Sequence, residues 1–374
     1  MKWSYRIATI AGTEVRIHAT FLLLLIYFGV TGMSGGRGIA GAWDAVALVL
    51  AMFTCVLLHE FGHVTAAKFY GIRTPDITLL PIGGVARLER MPRKPAHEFV
   101  VAVCGPLVNV AIAAVIALFL GAAGKMSLDF DLQSNGPFWV TLMQWNILMV
   151  AFNMVPAFPM DGGRVLRSLL GMFVDYGRAT RWAAAVGQGI AMLVVLSMLV
   201  SGAFQPFLML IAVFIFIAAG QEAAVVTQEE ATKDLLVRDA MVTQFVSLRP
   251  TDLLRDAVTS LLAGSQHDFP VLDERGSVIG ILSRKRLVSA LAEFGPGHPA
   301  QLVIEPCAEG VGPLQPLSSA MEFLNASACP AVPVIDPVSG RLVGLLTSEN
   351  IGEMLMIRAA LAPRAAAAAR SDSL

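Results

Sequence analysis

The stretch that decides the fold is Val56–Phe69, VLLHEFGHVTAAKF. Two histidines and a glutamate stand in a run that otherwise reads like the interior of a bilayer. An ionisable side chain at membrane depth costs about 2.5–3.5 kcal/mol on insertion scales, and such groups pair with a partner or mark function. On a helix, residues four apart share a face. His59 and His63 therefore present two imidazoles to one point, with Glu60 beside them. This H-E-x-x-H spacing is the one in which both histidines ligate zinc and the glutamate handles the proton of water. The bland reading is two structural histidines satisfied by backbone or helix neighbours. A divalent cation is the compensating partner that three ionisable groups inside an apolar span require.

The surroundings of this motif fix the class of protein. The chain has 374 residues, 56% hydrophobic and only 15% charged, against about 25% charged in soluble domains. The deficit lies before about residue 220, so a membrane domain precedes a soluble one. A net charge of −1 gives no reason to expect a nucleic-acid partner. Cys55, Cys104, Cys307 and Cys329 fit no metal-ligand or paired spacing and read as packing residues. The N-terminus lacks a small-residue cleavage site, so the first span is expected to be retained.

Apolar runs of membrane-crossing length fall at 17–33, 45–69, 98–123, 138–159, 183–201 and 205–220. Lys2, Arg6 and Arg16 precede the first. Arg73, Arg87, Arg90, Arg93 and Lys94 follow the second, and Arg164, Arg167, Arg178 and Arg181 follow the fourth. The alternate connections hold only Arg37, then Lys125 with Asp129 and Asp131. By the positive-inside rule both termini are cytoplasmic. The second and fourth spans then both run inward, which brings HEFGH and Asn153–Arg167, NMVPAFPMDGGRVLR, to one depth.

Catalytic zinc takes three protein ligands and leaves a position for water. His18 is one candidate for the third. Asp161 is better placed, at the inner end of the fourth span before Gly162 and Gly163, which permit close backbone approach. From spacing alone Asp161 reads equally well as a helix-start cap.

HEFGH in one span, CGPLVN (Cys104–Asn109) in the next and NMVPAFPMDGGR in the one after resemble the site-2 protease family of intramembrane zinc metalloproteases. The resemblance covers roughly residues 1–220. It implies Zn2+ held by His59, His63 and Asp161, with Glu60 as catalytic base and Asn153 near the reacting carbonyl. It also implies that PIGGVARLE (Pro81–Glu89) is a short β segment handling substrate through Gly83, Gly84 and Val85. An exposed strand edge there suits a peptide that must be unwound before cleavage; an amphipathic turn at the membrane surface is the other reading. The substrates implied are membrane-tethered proteins.

Beyond a charged stretch of helical character, a repeat appears. FPVLDERGSVIGILSRKRLVSAL (Phe269–Leu291) echoes VPVIDPVSGRLVGLLTSENIGEML (Val332–Leu355), with Pro270, Asp273 and Gly280 matching Pro333, Asp336 and Gly344 after a one-residue insertion. Each unit reads as strand, turn, strand and helix. The pair resembles tandem cystathionine-β-synthase (CBS) domains. The resemblance implies an adenine nucleotide contacted by Ser283, Thr347 and Asn350, and association into a homodimer or higher oligomer. The family's closing Asp is replaced by Arg286 and Asn350, so a docking module without ligand is the competing reading.

The expected architecture is a polytopic α-helical membrane protein of about six transmembrane helices with a C-terminal α+β tandem CBS domain. The expected boundaries are 1–220 for the protease domain, 221–236 for a linker, 237–358 for the CBS pair and 359–374 for a low-complexity tail. The expected location is the plasma (inner) membrane. A CBS-gated transporter or channel would need paired broken spans in two symmetric halves, which the sequence lacks. In a protease-like scaffold without activity the loss would have to come from a defect the sequence does not show, since both His, the Glu and the Asp are present.

Overall fold

Residues 3–34, 38–81, 83–87, 89, 92–124, 137–306, 310–327 and 329–371 are described by the computed structural model. Lys2, Arg37, Arg90, Lys125, Asp129, Asp131 and Cys307 lie outside them. The chain divides into two compact units, Met1–Val226 and Thr227–Leu374.

The first unit opens with a hairpin rather than with a span. β1 (Ser4–Ile10) pairs antiparallel with β2 (Thr13–His18), in which Val15 and Ile17 alternate with Glu14 and Arg16, and Ala11 and Gly12 both take positive φ, 53° and 91°. Two left-handed central residues are what a two-residue I′ turn needs. The strand takes residues up to His18, so the first apolar helix, α1 (Thr20–Gly32), has only 13 residues. Next come the 32-residue α2 (Gly38–Phe69), then β3 (Asp76–Leu80) and β4 (Gly83–Arg87). The four strands form one sheet in the order β1-β2-β3-β4, with β2 parallel to β3 and both hairpins antiparallel. Gly84 stands opposite Leu79 and Val85 opposite Thr78, which leaves the outer side of β4 as a sheet edge.

The remaining helices of this unit are α3 (Pro95–Ala122), α4 (Phe138–Asn153), α5 (Asp161–Leu170), α6 (Tyr176–Ser201) and α7 (Pro206–Thr232). Four of the seven, α2, α3, α6 and α7, are long and apolar enough to cross a membrane by length and composition. The 13 residues of α1 and 16 of α4 fall short of the ~20 of a straight crossing. Pro106 lies inside α3, which continues to Ala122, whereas Pro156 and Pro159 occupy the turn that ends α4. The expected linker positions up to Thr232 are the last turns of α7, one unbroken helix.

Small residues let these helices approach. In α3 the buried stripe runs Glu98, Val101, Gly105, Asn109, Ala113, Ile116 and Leu120, the 3.6-residue period of one face. Where α2 meets it, a β-carbon on Gly62 would lie 2.6 Å from the Cys104 carbonyl oxygen. Ala157, Ala183 and Ala219 are fully buried where the α4–α5 turn, α6 and α7 pack together. Close packing of small side chains is the main source of helix association in lipid.

The second unit is built twice. The first copy has α8 (Leu254–Ala263), β5 (Asp268–Leu272), β6 (Val278–Ser283) and α9 (Arg284–Phe294). The second has α10 (Leu317–Ala326), β7 (Ala331–Ile335), β8 (Leu342–Thr347) and α11 (Ser348–Ser371). The bridge Leu248↔Val271 recurs 63 residues later as Val311↔Val334. Asp273 and Asp336 each fold their side chain back onto following main-chain N–H groups and so make the two turns. The inserted residue lies in the second of these turns. Gly280 and Gly344 admit a crossing segment: Glu305 pairs with Ile281, and Val242 with Leu345. Each copy's hairpin is thus edged by a segment that leads into the other copy. Among the described cysteines, Cys329 departs from the expected packing role in being disulfide-bonded, while Cys55 and Cys104 are free thiols.

Candidate metal centre

Two helices bring the three candidate ligands together. His59 and His63 lie one turn apart on α2, and Asp161 is the first residue of α5. His59 Nε2 is 3.1 Å and His63 Nε2 3.2 Å from Asp161 Oδ2, and the two Nε2 atoms are 3.1 Å apart. All three side chains are buried. Asp161 is not a cap: the N-cap position is Met160, and the carboxylate turns to the imidazoles. His18 takes no part in this group; its Nδ1 pairs with Thr20 Oγ1 at 2.8 Å.

The far sides of the two rings fix which nitrogen carries the proton. His63 Nδ1 lies 2.7 Å from the carbonyl oxygen of Val101, which can only accept. For His59 the polarity comes through two amides. The Leu142 carbonyl accepts from Asn146 Nδ2 at 2.8 Å, so Asn146 Oδ1 accepts from Asn109 Nδ2 at 2.8 Å. That turns Asn109 Oδ1 to His59 Nδ1 at 2.6 Å. Both protons therefore sit on Nδ1 and both Nε2 lone pairs face inward, the arrangement in which a hydrogen bond from the outer nitrogen fixes a metal-binding imidazole. Two lone pairs and a carboxylate converge in a buried space. A proton there serves two of the three groups, whereas a divalent cation serves all of them.

The spacing agrees with the chemistry. A tetrahedral zinc with ligand bonds of about 2.05 Å has ligand–ligand edges of about 3.3 Å, close to the observed triangle of 3.1, 3.1 and 3.2 Å. Glycines make the triangle reachable. A β-carbon on Gly105 would fall 2.1 Å from His63 Nε2, so α3 passes directly against the ring. On Gly162 and Gly163 it would fall 2.3 Å from the Val155 oxygen and 2.7 Å from the Ala157 carbonyl carbon, so the turn before α5 folds tightly onto the helix start.

Glu60 is half-buried and faces β4: a β-carbon on Gly84 would lie 2.9 Å from its Cγ and 3.2 Å from its Oε1. Gly83, Gly84 and Val85 all lie on β4, and Val85 is 52% exposed. Asn153 ends α4 at the head of the turn leading to Asp161. Asn109 stood in the CGPLVN motif without an assigned role, and Asn146 went unread. Amides within apolar spans are the signal that could have found them.

In the second unit Ser283 is buried and caps α9, accepting from the Arg286 N–H at 3.2 Å, and Arg286 Nε donates to the Val303 carbonyl. Thr347 Oγ1 donates to Asn350 Oδ1 and accepts from the Asn350 N–H. A cavity of about 500 Å3 is lined by Asn350 with Asp239, Met241, Glu353 and Arg358.

Comparison with known proteins gives the family. Residues 47–135 match the sequence model of peptidase family M50, and residues 237–293 match that of the CBS domain. A zinc metalloprotease of Methanocaldococcus jannaschii is 34% identical over 284 residues, 75% of this chain and 78% of the relative. This chain belongs to peptidase family M50. It is a membrane-embedded zinc metalloprotease of the site-2 type that carries CBS domains. Stage IV sporulation protein FB of Bacillus subtilis, 28% identical, matches 36% of this chain and 43% of its own length. The solved site-2 protease from M. jannaschii aligns with 59% of this chain and 95% of its own at 34% identity and a TM-score of 0.43.

Proposed function

We propose that this M50 protease cleaves membrane-tethered proteins at a zinc held by His59, His63 and Asp161. The observation that carries the reading is the convergence of two Nε2 lone pairs and a carboxylate oxygen within about 3.2 Å, buried among apolar helices. Held by these three residues, zinc would supply a Lewis acid for the scissile carbonyl and would lower the pKa of water toward neutrality. Glu60 takes the proton of the attacking water on a carboxylate oxygen and passes it to the leaving amine. Asn153 donates a hydrogen bond to the oxygen on which charge develops. An extended substrate segment adds to the free edge of β4, and Gly84 lets that strand lie close against Glu60. Asn109 and Val101 hold the two imidazoles in their ligating tautomer.

The CBS pair tunes this activity. Asn350, with Asp239 beside the 500 Å3 cavity, is the better placed contact for an adenine nucleotide. Ser283 and Thr347 are not among the residues that line that cavity. The pair also associates into a homodimer or higher oligomer. The basic connections favour cytoplasmic termini in a plasma (inner) membrane.

The test is metal analysis of the detergent-purified protein with Glu60→Gln alongside. One zinc per chain in both, with cleavage of a membrane-tethered reporter reduced by at least about 100-fold in the variant, is expected. Wild-type protein that cleaves the reporter without metal refutes the assignment.

A further inference from the structure

Arg167 entered the sequence reading only as one of several cytoplasmic basic residues. Its side chain is fully buried, with the guanidinium carbon 4.9 Å from the ring centroids of both Phe158 and Tyr176. Nε and Nη2 face Glu98 Oε1 at 2.8 and 2.5 Å, and Nη1 donates to Glu222 Oε1 at 2.6 Å. One planar fork thereby joins α3, α5 and α7, which a lysine's point charge does not do.

Each of those helices has a stake in the metal centre or in its control. The ten-residue α5 begins with Asp161, about 9 Å along its axis from Arg167. On α3, Val101 lies one turn after Glu98 on the same buried stripe, and its carbonyl orients His63. The third helix, α7, runs from Pro206 to Thr232 without a break, past Val226 where the first unit ends. The guanidinium thus spaces the carbonyl that aims one ligand against the helix that presents another. A buried ion cluster is weak evidence for stability, because desolvation offsets the attraction. Its better attested use is to specify one arrangement.

The two acidic partners differ. The Glu98 side chain is 2% exposed and that of Glu222 38%. Glu98–Arg167 is a dry strut, whereas Glu222 is an arm that water can reach and that can be exchanged. We propose that Arg167 is a positioning residue of the zinc centre, and that Glu222 makes α7, the helix continuous with the CBS unit, a lever on it. This rests on the zinc reading above.

The experiment measures the rate of zinc release to a chelator, and the thermal unfolding of the metal-free protein, for the full-length chain in detergent. Glu222→Gln removes the arm at a partly exposed position where folding is retained. Arg167→Lys keeps the charge without the fork. Both are expected to release zinc about tenfold faster or more, the usual scale for loss of a residue supporting a ligand. The metal-free unfolding temperature of Glu222→Gln stays within about 2 °C of wild type, since Glu98 still neutralises the buried guanidinium. Release at the wild-type rate from Glu222→Gln overturns the lever. A lower metal-free stability with unchanged zinc release from Arg167→Lys overturns the positioning role in favour of a structural one. Wild-type protein without zinc refutes the metal reading itself, an outcome read before any ratio is taken.

Discussion

Gly105→Ala isolates the close approach on which the zinc site depends. The added carbon falls 2.1 Å from His63 Nε2, 2.4 Å from Cε1 and 2.8 Å from Cδ2. Non-bonded contact requires about 3.5 Å, so ring and helix must separate by more than about 1 Å. The ring cannot turn away without losing its 2.7 Å hydrogen bond to Val101, which lies on the same helix as the intruding carbon. Parting the helices instead gives up the close packing of Gly62 on Cys104. A displacement of about 1 Å at a reacting centre costs on the order of 100-fold in rate. We expect substoichiometric zinc in a buffer that saturates the wild type, and reporter cleavage reduced by about 100-fold or more. Gly189→Ala on α6 is the control. Nothing lies within 4 Å of the carbon it adds, and replacing a glycine inside a helix stabilises by about 0.5–1 kcal/mol. Zinc content by atomic emission and cleavage of a membrane-tethered reporter read both variants. Full zinc occupancy and wild-type cleavage in Gly105→Ala would show that α3 does not set the position of His63.

Asn109→Ala removes the acceptor that fixes the His59 tautomer and is expected to weaken zinc binding by about 10–100-fold, measured by competition with a chelator; unchanged affinity contradicts the amide chain. Gly84→Val drives a side chain into Glu60 from β4, so cleavage should fall while zinc content holds; a parallel loss of zinc would place the strand's role in the ligand shell instead. Burial raises the Asp268 carboxyl above its ordinary pKa, partly countered by His267 and Arg284. An acid raised on folding favours the folded state below its unfolded value of about 3.9 and loses that contribution as pH rises through the folded value. Asp268→Asn should therefore raise the unfolding temperature of the CBS unit at pH 7, with the gain vanishing near pH 4. A gain independent of pH would exclude titration as its cause.

The ligand set was legible because its grammar is local. The i, i+4 spacing of His59 and His63 needs only a helix, and the apolar context makes their charge conspicuous. Asp161 was ambiguous for a physical reason: Asp before two glycines satisfies a helix cap as readily as a metal, and only the fold of the Met154–Met160 turn decides where the carboxylate goes. The first hairpin went unread because the apolar run from Ile17 masked the alternation of Thr13–His18 before it. The repeat in the second unit was visible in Asp273 and Asp336, which recur because each makes the same turn. Arg167 and Asn146 stayed hidden because their roles lie in partners from distant helices. Arg167 meets Glu98 and Glu222 across 69 and 55 residues, and no spacing along one element reports such a meeting.

The exchange of edge segments between the two CBS copies sets an order of assembly. Val242 finds its strand partner only at Leu345, about 100 residues later, a delay of roughly 5–20 s at ordinary synthesis rates. Before that interval ends, α7 and everything before it has left the ribosome. The catalytic half can thus settle in the bilayer while the CBS pair is still an incomplete sheet, and a nascent protease spends its first seconds without a finished second half.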